Sequence, residues 1–265
     1  MKDALSPHKG ETMNLDYKAL RNAIDTRRSR RKYLGTPIAK DTAAQLQQLI
    51  DHYSKAGNIR MELVLNDSAS FNKFTKSYGM FSGVNDYIAL IARDDDPTAK
   101  ERIGYYGELV VLEATNLGLG TCWVGISNNV AMMPFKLKDG EKLACSILVG
   151  NVADDYSPRE RLMRNITHRK LKPIESMYIA DKPIPEWFKL GMMAVQRAPS
   201  AVNRQPVTFH YKDDAVTAKV PNYDGPYEAF DLGIAKAHFE IGTSSGSWQW
   251  GNDAEYVQAE DTSKP

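Results

Sequence analysis

The sequence predicts an α+β fold assembled from two divergent halves of one unit, and three observations carry this reading. Helical stretches alternate with short apolar runs of strand length. After a charged linker the pattern starts again, with Pro183-Ile184 repeating Pro37-Ile38 at an offset of 146 (183 − 37), each pair ahead of a helix. Finally, Asp231 to Gly242 (DLGIAKAHFEIG) matches Gly107 to Gly118 (GELVVLEATNLG) in length and ending, at an offset of 124 (242 − 118). The second copy is therefore about 22 residues shorter, the loss falling between its strand and its last helix. Two such halves bury their faces on each other, as in a homodimer fused into one chain. Residues 15–172 form the first repeat in this reading and 173–250 the second, with 1–14 and 251–265 as polar, flexible termini.

In chain order, Asp16 to Ile24 reads as a helix, followed by a basic run and the breaker cluster Gly35-Thr36-Pro37. Asp41 opens a second helix with Ala44, Leu46, Leu49, Ile50 and Tyr53 on one stripe, closed by Lys55-Ala56-Gly57-Asn58. Met61 to Leu65 and Tyr87 to Ala92 read as short buried strands, and Phe71 to Gly83 between them as a helical piece followed by a loop. Tyr105 to Leu117 is apolar nearly all round, which predicts a helix in a core or an interface, stopped by Gly118. Thr121 to Ile126 and Cys145 to Val149 follow as apolar runs, then the charged linker Ala153 to Lys172. The second half reads as a helix (Pro185 to Arg197), a loop, a strand (Val207 to Tyr211) and a last helix (Asp231 to Gly242).

Composition narrows the function. Hydrophobic residues at 42% and charged residues at 25% exclude a disordered chain, a collagen and a coiled-coil rod. Lys+Arg 34 against Asp+Glu 33 argues against a general nucleic-acid binder. Two cysteines are too few for a disulfide framework and point to a reducing compartment, the cytoplasm. No apolar run is long enough to span a membrane, and the polar N-terminus lacks the apolar stretch of a secretory signal.

Three stretches carry candidate chemistry. Arg27 to Lys32 holds five positive charges in six residues. It reads as a solvated face or as a phosphate site, because the planar guanidinium fork matches phosphate oxygens and Ser29 adds a hydroxyl donor. Ala198 to Pro206 (APSAVNRQP) is a proline-stiffened loop, either a plain helix-to-strand turn or a rigid polar edge for a flat heterocycle. Gly118 to Gly125 (GLGTCWVG) permits close backbone approach but lacks the order of a dinucleotide fingerprint. Cys122, in that apolar setting, reads as a structural thiol. The five histidines show no metal spacing, and there is no nucleophile elbow and no P-loop. Nothing offers an obvious general base or nucleophile, which suits a protein whose bound cofactor does the chemistry.

Together the three stretches resemble the FMN-dependent nitroreductase family, over Leu15 to Trp250. RRSRRKY resembles its RxSxR/K-x-[FY] motif, APSAVNRQP is similar to APSxxNxQP, and NLGLGTCWVG to GLGTxWIG. The order departs from the family pattern. APSxxNxQP ordinarily follows RxSxR within one half, whereas here that first-half position is the degenerate Lys55-Ala56-Gly57-Asn58 and the intact loop lies in the second half. Family members are homodimers with FMN at the interface, so the departure implies a single-chain, two-repeat pseudo-dimer. One composite site keeps both contributions and the mirror site has lost both. Carried over, the resemblance implies Arg27, Arg28, Ser29 and Arg31 at the FMN phosphate and the N1/O2 edge of the ring. Pro199, Ser200, Ala201 and Asn203 would meet the isoalloxazine and ribityl groups, and the Val124 and Gly125 backbone the ring near N5. A basic residue ahead of Lys172-Pro173-Ile174-Glu175 would also reach the phosphate, with Arg169 and Lys170 the expected ones and Lys172 a third candidate. The flavin would take electrons from NADH or NADPH and pass them to a nitroaromatic, quinone or similar acceptor by ping-pong turnover. The alternative is a flavin-binding storage or sensing protein without turnover. No catalytic side chain, metal, nucleic acid or membrane partner is expected, and the chain is expected as a monomer or a higher association of it.

Overall fold

The structure, a computed structural model, describes residues 15–67, 81–125, 133–158, 160–162 and 171–258. Helix α1 (Tyr17–Thr26) starts where the Asp16 carboxylate accepts the Ala19 N–H at 3.0 Å, and it buries Leu20, Ala23 and Ile24. Helix α2 (Lys40–Gly57) buries Leu46, Ile50 and Tyr53 and ends on Asn58 in the left-handed region. Strands β1 (Arg60–Val64) and β2 (Asp86–Arg93) pair antiparallel. After helix α3 (Ala99–Asn116), strands β3 (Gly120–Val124) and β4 (Glu141–Gly150) complete an antiparallel sheet in the order β1-β2-β4-β3.

The second half follows the same plan. Strand β5 (Tyr178–Ala180) leads to helix α4 (Glu186–Gln196), then to the hairpin β6 (Thr208–Lys212) and β7 (Ala215–Lys219). Helix α5 (Glu228–Thr243) and strands β8 (Ser247–Trp248) and β9 (Ala254–Val257) end it. Its sheet runs β5-β6-β7-β9-β8, antiparallel except for the β5/β6 pair. Every helix and strand expected from the pattern is present within a few residues, apart from Phe71 to Gly83, of which residues 71–80 lie outside the described ones.

The halves meet on α3 and α5, which are buried on nearly every side. That explains their lack of a polar face. The crossing is reciprocal. A Cβ on Gly104 would overlap the Phe230 carbonyl, and one on Gly233 would overlap the Glu101 carbonyl. In each helix the glycine lies three residues after the residue it admits from the other. The helices therefore correspond in a Gly104/Gly233 register, not the Gly118/Gly242 register suggested by their ends. A fully buried ion pair, Lys236 Nζ to Glu101 Oε1 at 2.5 Å, crosses the same seam, and the Tyr223 hydroxyl and the Gly251 N–H donate to the other Glu101 oxygen.

The structure corrects the reading of the C-terminus as frayed from 251 onward. Gly251 is tied to Glu101, and β9 is an interior strand between β7 and β8. Glu255 and Val257 face out, while Tyr256 packs 5.1 Å from Phe239 and 5.0 Å from Trp248. One buried aromatic side chain in a polar run anchors the strand, a signal too sparse for periodicity to catch.

Candidate functional site

On leaving α1 the chain turns extended at Arg27 (φ −53°, ψ 133°). Ser29 then bridges to Thr121 of β3 in parallel, and the Arg30 N–H donates to the Thr121 carbonyl at 2.8 Å. This pairing sets the basic run against GLGTCWVG, two stretches some ninety residues apart in sequence.

Extended backbone sends alternate side chains to opposite sides. Arg30 is buried, with its guanidinium 3.3 Å from Glu160, bonded to the carbonyls of Ala153 and Asp155 and lying over the Tyr156 ring. It is a structural arginine. Arg27 also turns inward, 3.8 Å from Glu108, with Nη1 3.5 Å from the Ser29 hydroxyl. Its Nε is buried and has no hydrogen-bond partner among the described residues. Arg28, expected at a phosphate, instead places Nη1 on the carbonyls of Asp25 (2.7 Å) and Arg27 (2.9 Å), capping the carbonyl end of α1.

Glu160 organises the run. Its Oε1 accepts the N–H groups of Arg31 (2.9 Å) and Lys32 (3.1 Å), and its Oε2 accepts the Ser157 N–H and hydroxyl (both 3.0 Å). Burial raises its pKa, but the donated N–H groups of Arg31, Ser157 and Lys32 outweigh that and hold it at about 2. Sequence reasoning passed over Glu160, because it lies in what reads as a linker and its partners are mostly backbone. The Cys122 thiol is buried, and burial pushes its pKa up, in keeping with a structural role.

The APSAVNRQP loop is built as a strained clasp. Val202, Asn203 and Gln205 all have positive φ (52°, 52° and 48°), uncommon for non-glycine residues and most so for β-branched Val202. The Ser200 hydroxyl accepts the Gln205 N–H at 2.9 Å, and the Ala201 N–H donates to Asp231 of α5 at 2.9 Å. The Lys172 ammonium donates to the Gln205 carbonyl at 2.7 Å, and its N–H to Gln205 Oε1 at 3.1 Å. Lys172, the third candidate for the phosphate, thus braces the loop. Arg169 and Lys170 lie outside the described residues.

Residues flanking the loop and the basic run are tied to each other. Arg197, one residue ahead of the loop, pairs with Asp25, two residues ahead of Arg27, at 3.2 Å. Beneath them, Glu108 of α3 accepts the Trp123 indole N–H at 2.8 Å and meets His238 Nε2 at 3.0 Å, while His238 Nδ1 meets the Ala194 carbonyl of α4 at 3.0 Å. Across the site, a Cβ on Gly125 would lie 3.1 Å from the ring and hydroxyl of Tyr227, which is half-exposed at the start of α5. The side chain of Val124 is buried, so only its backbone faces the site.

The basic run thus pairs with GLGTCWVG, and residues flanking the APSAVNRQP loop meet residues flanking the run. A family model described as "Putative TM nitroreductase" matches residues 19–243. The chain belongs to this nitroreductase family. A structure described as a "putative nitroreductase" from Thermotoga maritima MSB8 is similar over nearly the whole chain, at 20% identity and a TM-score of 0.60, covering 97% of this chain and 98% of that one. At that identity the likeness shows the nitroreductase fold. A "putative nitroreductase in complex with FMN" from Desulfovibrio desulfuricans is 16% identical, with a TM-score of 0.47 and coverage of 63% and 98%. An "FMN-dependent nitroreductase" from Clostridium difficile R20291 is 20% identical, with a TM-score of 0.41 and coverage of 51% and 88%. A search of curated proteins finds no match. Among the described residues, no helix is long and apolar enough to cross a membrane and no cluster of His, Cys, Asp or Glu is arranged to hold a metal.

Proposed function

We propose that this nitroreductase-family chain is an FMN-dependent oxidoreductase with one composite cofactor site at the seam of its two repeats, a fused pseudo-dimer. The observation that carries the reading is Arg27: a guanidinium with a buried, unpartnered Nε, its charge only loosely met by Glu108 at 3.8 Å. A buried unmatched donor is costly, and an anionic ligand edge would satisfy it. Arg31 adds a second cation, on a backbone already fixed by Glu160. FMN, with its dianionic phosphate and flat polar ring, fits this donor set.

In this reading Arg27, Ser29 and Arg31 bind the anionic parts of FMN, with Arg169 and Lys170 joining at the phosphate. The Val124–Gly125 backbone would approach the ring near N5, and Pro199, Ser200, Ala201 and Asn203 would line the ring and ribityl chain from the other repeat. Arg28 acts at one remove, by fixing the end of α1. Bound FMN supplies the two-electron chemistry, accepting from NADH or NADPH and giving to a nitroaromatic, quinone or similar acceptor in ping-pong order. The protein's part is to orient, to exclude water and to hold positive charge where negative charge develops.

The mirror site is closed by helix. At the 146-residue offset, the Gln196 end of α4 corresponds to Ile50 in the middle of α2. Where the second repeat breaks into its loop, the first continues as helix to Gly57, with Tyr53 buried. The reading therefore gives one FMN per chain.

Titration of the purified chain with FMN, followed by fluorescence quenching, tests this. The expected result is one site, weakened by both Arg27→Ala and Asn203→Ala with the fold intact. Loss of the visible flavin band on anaerobic mixing with NADH or NADPH is expected in addition. A chain that binds no FMN, or binds it equally in both variants and the parent, would overturn the composite site. Bound flavin that neither nicotinamide reduces would favour storage or sensing over turnover.

A further inference from the structure

The seam holds a buried polar unit that the proposed function does not use: Glu108 and His238, both fully buried, with Arg27 beside them. The hydrogen bonding around His238 limits its state. Nδ1 faces the Ala194 carbonyl at 3.0 Å, and a carbonyl only accepts, so Nδ1 carries a proton. Nε2 faces Glu108 Oε1 at 3.0 Å, and that contact also needs a proton between its two atoms. A neutral imidazole with an ionised carboxylate has one proton too few and leaves two lone pairs opposed in a dry site. The second Glu108 oxygen is held by the Trp123 N–H at 2.8 Å, so the carboxyl cannot turn away to relieve this.

We propose that Glu108 and His238 together hold this additional proton, so that the pair is neutral as a unit and Arg27 keeps an uncompensated positive charge for the site. Whether the proton rests on Nε2 or Oε1 does not alter the sum. Were the pair to carry a negative charge, Glu108 would draw the guanidinium to itself, and the interaction is strong where water is excluded. The looseness of the Arg27–Glu108 contact, 3.8 Å against 3.0 Å for His238–Glu108, agrees with a carboxylate already compensated. His238 comes from the second repeat, and Glu108 and Arg27 from the first. Docking of the repeats would therefore complete the charge state of the cationic site, with His238 as a positioning residue acting through Glu108.

The inference rests on the reading of Arg27 as an FMN ligand, and two measurements separate the failure of one from that of the other. The first needs no cofactor: nitrogen-15 NMR of the full-length, histidine-labelled chain near neutral pH, with carbon-13 on the Glu108 carboxyl. Protons on both His238 ring nitrogens beside an ionised Glu108 support the proposal, as does a single Nδ1 proton beside a protonated Glu108; two ring protons beside a protonated Glu108 overturn it. One ring proton beside an ionised Glu108 overturns it, whatever the flavin does. The second measurement is FMN affinity by fluorescence quenching. His238→Gln, which keeps a donor for Glu108 but brings no charge, is expected to weaken FMN on the order of ten-fold, about 1.4 kcal/mol. Adding Glu108→Gln to the same chain is expected to restore affinity, because no charge is left to capture Arg27. If Arg27→Ala weakens FMN while His238→Gln does not, the proton assignment falls and the cofactor reading stands. If Arg27→Ala has no effect, the cofactor reading falls instead.

Discussion

The Arg197 guanidinium lies 3.2 Å from the Asp25 carboxylate, joining the start of the APSAVNRQP loop to the end of α1. Both side chains are more than half exposed, so the pair contributes little to global stability, about 0.2–1 kcal/mol. Its consequence is positional, since Asp25 also holds Arg28 through its carbonyl. Asp25→Asn is expected to leave the thermal midpoint nearly unchanged while weakening FMN a few-fold at low salt. The gap should close as salt rises, because the parent pair is screened as well. Matched melts and titrations at two ionic strengths check this. A salt-independent loss would show that the tether is not electrostatic.

Glu160 is expected to matter more. Its carboxylate satisfies two consecutive N–H groups of the basic run and pairs buried Arg30. Glu160→Ala leaves that charge and those donors unmet, a cost on the order of 3–5 kcal/mol by analogy with broken buried pairs. FMN affinity should fall with it, as Arg31 loses its fixed backbone. The folded pKa of about 2 lies below the ordinary carboxylate value, so this contribution is complete above about pH 4.5 and is lost as pH falls through about 2. Acid unfolding of parent and Glu160→Gln should therefore converge at the lowest pH. A constant gap at all pH values would refute the assignment.

Two other carboxyls act in the opposite sense. Burial, with Glu228 adding to it, raises Asp231 to about 7 despite the Ala201 N–H and Arg204, and burial raises Glu240 to about 8 despite the Tyr105 hydroxyl. Between the ordinary carboxylate range and these values the folded chain binds more protons than the unfolded one, so stability falls as pH rises from about 4 to about 8. The denaturant midpoint should therefore be lower at pH 8.5 than at pH 5.5. Asp231→Asn and Glu240→Gln should each flatten the profile and raise stability at the alkaline end, on the order of 1–3 kcal/mol. As Asp231 ionises, its bond to the Ala201 N–H strengthens, so the loop should tighten while the whole weakens. Hydrogen exchange at Ala201 across the same range reads that local effect.

The helices and most strands were legible because each buries one apolar face or, for α3 and α5, all of them. The three site stretches were legible through their unusual residue types: packed arginines, paired prolines, paired glycines. What escaped was whatever depends on partners distant in sequence. Arg28 and Arg30 look alike in the run, but one caps a helix and the other is buried against Glu160. Lys172 reads only as a basic residue ahead of Pro173-Ile174-Glu175, and the fold alone shows its ammonium donating to the Gln205 carbonyl. Glu108 sits in an apolar helix with no motif around it, and only the fold brings Arg27, Trp123 and His238 to it.

The seam itself offers a test in which two effects compete. Gly233→Ala in mid-helix should gain about 1 kcal/mol from helix propensity alone. The new methyl, however, would overlap the Glu101 carbonyl, main chain that cannot rotate aside. Relief requires α3 and α5 to separate, which loosens the Gly104–Phe230 contact and the Lys236–Glu101 pair together. Overpacking of this kind costs about 1–3 kcal/mol in an adaptable core, and more where the obstacle is backbone. Net destabilisation is therefore expected, with a lower thermal midpoint and weaker FMN binding as the composite site opens. Gly118→Ala is the control. It has φ of +78° and nothing within 4 Å of its added Cβ, so it should lose only the left-handed penalty, about 1 kcal/mol, and keep its affinity. If Gly233→Ala were as stable as the parent and bound FMN equally well, the close reciprocal crossing of the two helices would be wrong.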